Sequence, residues 1–177
     1  MTDNGNDLSI PVNENDHIQG NPDAPLVLVE YGDYECIHCR RAYPVIKKLQ
    51  RHLGDDLCFV FRNFPLGQSH PHAQHAAEAS EIADQAGKFW EYHDHLYEHQ
   101  EALDDASLQA YAEQFGIAAA EFSGSLENEE FRDKVQKSFL SGVESGVNGT
   151  PSFFVNGSRY DGDWEYEPFI AYLSSLK

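Results

Sequence analysis

The strongest constraint on the fold is the position of "YECIHCRR" between two segments of opposite character. Ahead of it, "APLVLVEY" (residues 24–31) is an apolar run that follows a Pro and Asn cluster and stops at Gly32, the pattern of a buried strand. Behind it, Ala42, Val45, Ile46 and Leu49 recur at helical spacing, which predicts a helix from Cys36 to about residue 52 with Gly54 as its stop signal. Pro44 falls inside that pattern and predicts a kink, because proline lacks the backbone donor and its ring clashes with the preceding turn. A second apolar and aromatic run, "LCFVFRNFP", predicts a strand ending near Phe64 and Pro65. Cys36 and Cys39 therefore sit at the start of a helix that connects two buried strands.

Beyond that unit the composition turns to helix formers. Pro71 stands at a plausible first helical position and Gly87 at a break between two helices, while "ASLQAYAEQFGI" and residues 129–144 continue the helical pattern. "TPSFFVNGSRYDG" restores β character as two short strands around Asn156-Gly157, a strong hairpin signal, and an amphipathic helix over residues 166–176 closes the chain. The predicted class is α/β with an all-helical insertion. Residues 1–23 read as a polar N-terminal arm, 24–66 and 146–177 as the core, and 67–145 as the inserted helical domain. Both first strands need apolar cover on each face, and the helices supply it.

A chain of 177 residues with 41% hydrophobic content is the size of one domain carrying an insertion. No interval approaches an apolar run of about 18 residues, so no membrane span is expected and the chain reads as soluble. A net charge of -18, spread along the sequence with no Lys and Arg cluster, argues against nucleic-acid partners and reads as solvated surface. The opening "MTDNGNDLSIPVNENDH" has neither a basic n-region nor an apolar h-region, so the expected location is cytoplasmic, or periplasmic or otherwise extracytoplasmic if an export signal has been trimmed. Of three cysteines, Cys58 is left over in an apolar run and reads as a buried, inert thiol.

The helix start gives the Cys36-Ile37-His38-Cys39 motif its chemistry. The reactive form of cysteine is the thiolate, and the free N–H groups and dipole at a helix N-terminus stabilise negative charge. Cys36 is expected to be the exposed nucleophile, and Cys39, one turn in, the more buried thiol that resolves a mixed disulfide. His38, between them, can donate to the Cys36 thiolate or attract it as a cation, which stabilises the reduced pair. Arg40 and Arg41 read as ordinary exposed helix residues. A zinc site would need two further ligands from His70, His72 and His75, or from His93, His95 and His99; His95 and His99 fall on one helix face, but neither group has an acidic HExxH pattern.

With "DAPLVLVEYGDYECIHC", "FRNFPL", "HPHAQHAAEASEIADQAGKFWEYHDHLY" and "GVNGTPSFFVNG", the chain from about residue 17 to its end resembles the bacterial DsbA-type thiol-disulfide oxidoreductases. The resemblance implies a thioredoxin-like core with a helical insertion, and no cofactor beyond a redox-active Cys36–Cys39 disulfide. It also implies protein or peptide thiols and disulfides as substrates, and a separate redox partner that recycles the pair. It makes Cys36 the nucleophile, Cys39 the resolving thiol, His38 the tuning residue and Glu30 a buried carboxylate that exchanges a proton with Cys39. The alternative for Glu30 is a strand residue that points to the surface. The resemblance further implies a cis-Pro151 loop facing the motif, with the Thr150 backbone open to an extended substrate. Ile37 departs from the pattern, standing where the periplasmic oxidants usually have proline. Oxidase, reductase and isomerase roles are all compatible with this motif. Two competing readings are a redox-independent peptide-binding or holdase module, motivated by Phe89, Trp90, Tyr92 and Tyr97, and a glutathione-linked enzyme of the kappa type, against which the intact CxxC counts.

Overall fold

The computed structural model describes residues 7–177. Five strands form one sheet in the order β1-β3-β2-β4-β5: β1 (His17–Gly20), β2 (Leu26–Gly32), β3 (Leu57–Asn63), β4 (Ser152–Val155) and β5 (Ser158–Tyr160). β2 and β3 run parallel, with Leu28 opposite Phe59 and Glu30 opposite Phe61, and the remaining pairs are antiparallel. The parallel pair is joined by α1 (Ile37–Leu53) and a single 3-10 turn at Gly54–Asp56. α1 runs unbroken through Pro44. Every residue of β3 is buried, and so are all of β2 except the half-buried Val27, as strands covered on both faces must be.

The helical block contains α2 (Ala73–Gln85), α3 (Phe89–Glu98), α4 (Asp105–Gln114), α5 (Ala119–Glu127) and α6 (Arg132–Glu144), and α7 (Tyr166–Ser175) ends the fold. One face of the sheet, with Leu26, Leu28, Phe59, Phe61 and Phe153, packs with α1, α7 and the apolar faces of α2 to α5. The other face, with Val29, Tyr31, Val60 and Phe154, packs with Phe64, Val147 and Phe139 of α6. Cys58 belongs to this second cluster at 1% exposure, and burial raises its thiol pKa, as an inert structural cysteine requires.

Several local expectations shift. Within the segment read as an arm, β1 joins the sheet beside β3, satisfying the backbone groups of what would otherwise be an open edge. Residues 8–16 form a strap: Ser9 bonds to Ser141 of α6 and to Ser145 just past its end, and the carbonyls of Ile10 and Pro11 accept from Arg62, whose guanidinium also grips Asp16. A strand of four residues carrying one aliphatic side chain has too little periodicity to be found from sequence. The first six residues of the arm lie outside the described residues. α2 begins at Ala73 rather than at Pro71, and α6 at Arg132 rather than at residue 129, where Glu129 takes φ 53, outside the right-handed helical region. α5 was not anticipated as a separate element. The hairpin falls at Asn156-Gly157, with φ of 50 and 88, values that favour the Asn-Gly pair.

Gly142 marks the closest approach of α6 to the sheet. A Cβ there would lie 2.6 Å and 2.7 Å from ring carbons of Phe64 and 3.0 Å from Tyr31. Alanine gains about 1 kcal/mol of helix propensity over glycine, but overpacking a filled core costs about 1–3 kcal/mol. Gly142→Ala is therefore expected to lower stability on balance, read as a lower urea midpoint with an unchanged slope.

Candidate active site

Cys36 is the N-cap of α1, and its extended backbone (φ -75, ψ 124) turns the chain from the Asp33–Cys36 turn into the helix. The Cys39 thiol and the backbone N–H groups of Cys39 and His38, at the first turn of α1, favour the charged form of the sulfur. These donors, the Cys39 thiol first, push the Cys36 thiol down to about 5, against the opposing effect of its burial. Cys39 is fully buried, and loss of solvation holds its pKa well above the ordinary thiol value. One cysteine is thus set to be the anion and the other the protonated donor. All three cysteines are free thiols.

Cys36 is less open than the sequence suggested, with 5% exposure rather than a projecting thiol. The reason is the loop before β4: the Thr150–Pro151 peptide bond is cis, and the Thr150 carbonyl accepts from Cys36 Sγ at 3.5 Å. The Thr150 hydroxyl is buried with no hydrogen-bond partner among the described residues, and Thr150 contributes to lowering the Cys36 pKa. Ile37 projects outward beside the sulfur at 55% exposure.

Glu30 lies on the central strand β2 between Phe61 and Phe153 and is buried at 2% exposure, so it is not a surface residue of the strand. Its Oε1 has no hydrogen-bond partner. Burial, with the charge of Cys36 added, pushes its carboxyl up to about 8. The same carboxylate contributes to raising Cys39.

His38 is exposed, and its imidazole makes no hydrogen bond among the described residues. Its contribution to Cys36 runs through the backbone N–H, not through the ring. Arg40 is likewise exposed, and Arg41 pairs with Glu165 at 3.0 Å and lies over Trp164. The histidines weighed as zinc ligands are dispersed: His70 bonds to Asp33, His75 to Asp105 and His93 to the Tyr34 hydroxyl, while His95 stacks on His99. The one cluster of potential ligand atoms among the described residues, His17 with Glu81 and Asp84, contains no cysteine. Phe89, Tyr92 and Tyr97 are buried and Trp90 packs against the same core, so the aromatic stripe is interior rather than a binding surface.

Two groups the sequence reading passed over hold the turn in place. Asp33, buried at 1% exposure, accepts the Cys36 N–H with its carbonyl at 3.1 Å and the Glu35 N–H with its carboxylate at 2.8 Å. Gln100, just past α3, donates to the carbonyls of both Tyr34 and Cys36 at 2.8 Å each, tying the helical block to the motif. An aspartate three residues before Cys36 was a recognisable turn-capping signal. Nothing in the sequence marked Gln100.

A mixed sheet whose parallel pair is joined by a helix that starts at the cysteine motif, with a helical block inserted before the closing hairpin, is a thioredoxin-like fold with a helical insertion. The family model described as thioredoxin matches residues 12–175, and the chain belongs to that family. Oxidised BdbD from Bacillus subtilis matches with a TM-score of 0.86 at 24% identity, covering 97% of each chain. The DsbA-type protein alpha-DsbA1 from Wolbachia pipientis matches with a TM-score of 0.82 at 22% identity, covering 96% of this chain and 94% of that one. At these identities the likeness is one of fold. In sequence, the Na(+)/H(+) antiporter NhaA 1 of Mycobacterium sp. (strain KMS) is 42% identical over 164 residues, which is 92% of this chain and 27% of the antiporter. The chain thus spans about a quarter of the length of that curated relative, and no helix among the described residues is long and apolar enough to cross a membrane.

Proposed function

We propose that the protein is a thiol-disulfide oxidoreductase that exchanges disulfides with protein or peptide thiols through Cys36 and Cys39. The observation that carries this reading is the split between the two thiols: Cys36 pushed down to about 5 and Cys39 held up by burial, one helical turn apart. A substrate thiolate attacks Cys36 Sγ of the disulfide and forms a mixed disulfide, and the Cys36–Cys39 bond breaks with its electron pair on Cys39. Glu30, protonated below about pH 8, supplies the proton that Cys39 takes up. A second substrate thiolate attacks the substrate sulfur of the mixed disulfide and releases Cys36 as its stabilised thiolate. Two electrons pass from the substrate dithiol to the cysteine pair; reduction runs the same steps backward.

Cys36 is the sulfur within reach of the substrate, with the Thr150 carbonyl beside it available to an extended backbone. Stabilising the departing thiolate favours the reduced pair, the property of an oxidant. The recycling partner is a second protein or small thiol couple that regenerates the disulfide. Ion transport, named for the antiporter relatives, is not carried over to this chain.

Cys39→Ala removes the resolving thiol, so mixed disulfides at Cys36 should accumulate. In extract treated with this variant, adducts that disappear on reduction are the expected result, read on non-reducing gels. A variant that stays monomeric and unadducted, while its Cys36 remains alkylatable, would sink the proposal.

A further inference from the structure

The sequence pointed to His38 as the tuning imidazole, but the ring tied to the active-site turn is that of His70. His70 lies in the loop between β3 and α2. Its Nδ1–H donates to Asp33 Oδ2 at 2.8 Å. The Asp33 side chain is 0% exposed, whereas that of His70 is 26% exposed, so the imidazole is the side of the pair that reaches water. Asp33 is bound into the motif from two directions. Its carbonyl accepts the Cys36 N–H at 3.1 Å, and its carboxylate accepts the Glu35 N–H at 2.8 Å and the Leu66 N–H at 2.9 Å.

This arrangement poses an electrostatic problem. A buried carboxylate three residues from a sulfur that has to become an anion opposes that ionisation, because like charges in a low-dielectric site repel. Among the described residues the one ion pair that Asp33 makes is with His70. With His70 protonated the pair is neutral overall, and Cys36 faces a dipole rather than a net negative charge. Once His70 loses its proton, the Asp33 charge is uncompensated.

We propose that His70 is a positioning residue of this centre: its protonated ring, anchored on the buried Asp33 carboxylate, neutralises that charge and so stabilises the Cys36 thiolate. This deepens the thiol-disulfide reading given above and rests on it. The groups that face His70 are Asp33, Cys36 and Glu35, all from the turn that opens α1, and the Glu35 carboxylate is itself engaged by the His72 N–H at 2.7 Å. Although burial works against the charged ring, the hydrogen bond and charge of Asp33 outweigh it and raise the His70 pKa above the ordinary histidine value, with the negative Cys36 adding to the rise.

Coupling between two proton sites is reciprocal. If His70 favours the Cys36 thiolate, the thiolate favours protonated His70 by the same factor. Oxidation removes the thiolate and lets the His70 pKa fall. The centre thus exchanges part of a proton with solvent at His70 each time it changes redox state.

The experiment is an NMR titration of the His70 ring in the oxidised and the reduced protein, paired with titration of the Cys36 thiolate by its ultraviolet absorbance in parent, His70→Asn and His70→Arg proteins. The expected result is a higher His70 midpoint in the reduced protein. His70→Asn, which keeps an N–H donor and loses the charge, should raise the Cys36 midpoint by about half to one pH unit. His70→Arg, which keeps the charge, should leave it near the parent value. Identical His70 titrations in the two redox states, or Cys36 midpoints that coincide in parent and His70→Asn, overturn the inference. The NMR comparison needs no variant, so it decides the matter even if a substitution unfolds the loop. A parent protein that fails to exchange disulfides with glutathione would count against the oxidoreductase reading instead, whichever way His70 titrates.

Discussion

Replacing Cys36 by alanine is expected to reduce disulfide exchange to the background of free thiols in the buffer, and to remove a pH-dependent part of the stability of the reduced protein. Folding moves this thiol from an ordinary value of 9.0 down to about 5. Across that window the unfolded chain binds the more protons, so the contribution grows as pH rises from 5, is complete above 9 and is lost as pH falls through 5. Urea unfolding of the reduced parent and of Cys36→Ala at pH 5, 7 and 9 measures it. The gap between the two should widen with pH; parallel curves would mean that the thiolate is not stabilised by the fold. The disulfide has no thiolate to stabilise. Under the proposed function, stabilising the thiolate contributes to favouring the reduced pair over the disulfide near neutral pH.

Glu30→Gln is expected to act in the opposite direction on stability and in the same direction on activity. Burial raises the Glu30 carboxyl from 4.5 to about 8, so here the folded state binds the more protons and stability falls as pH rises between those values. Glutamine keeps the shape and buries no charge. The variant should therefore match the parent below pH 4.5 and exceed it above pH 8 by on the order of 5 kcal/mol, the free-energy equivalent of that change. Exchange should meanwhile slow by about a hundredfold near neutral pH if, as proposed, Glu30 is the proton donor and acceptor for Cys39. Denaturation midpoints and single-turnover exchange, each followed from pH 4 to 9, separate the two effects. A variant no more stable at pH 9 and no slower at pH 7 would remove Glu30 from the mechanism. The two groups are also linked, since the charge on Cys36 helps raise Glu30, and the Glu30 titration should shift downward when Cys36 is oxidised.

Much of the framework was legible because periodicity and punctuation are local. β2, α1, β3, the Asn156-Gly157 hairpin and α7 all fall within a few residues of their expected places. The motif at the head of α1 could be read in the same way: a strand that ends at Gly32 and a helix that starts at Cys36 place the first cysteine at a helix N-terminus wherever the rest of the chain goes. Local signals were weaker where an element draws its stability from a neighbour. β1 exists because β3 offers an open edge, and α5 because α2 and α4 pack against it.

The sequence by itself determined that two cysteines share the first turn of a helix between buried strands, since spacing and apolar patterning act over a few residues. Only the tertiary structure decided which groups surround them. It buried Glu30 between two phenylalanines, closed the Thr150–Pro151 loop over Cys36, turned the His38 ring out to solvent and brought His70 onto Asp33. Those outcomes depend on contacts between residues more than a hundred positions apart, such as Cys36 with Thr150 at a separation of 114. The charge each group carries is set by burial and by its partners, and neither is written in the order of residues along the chain.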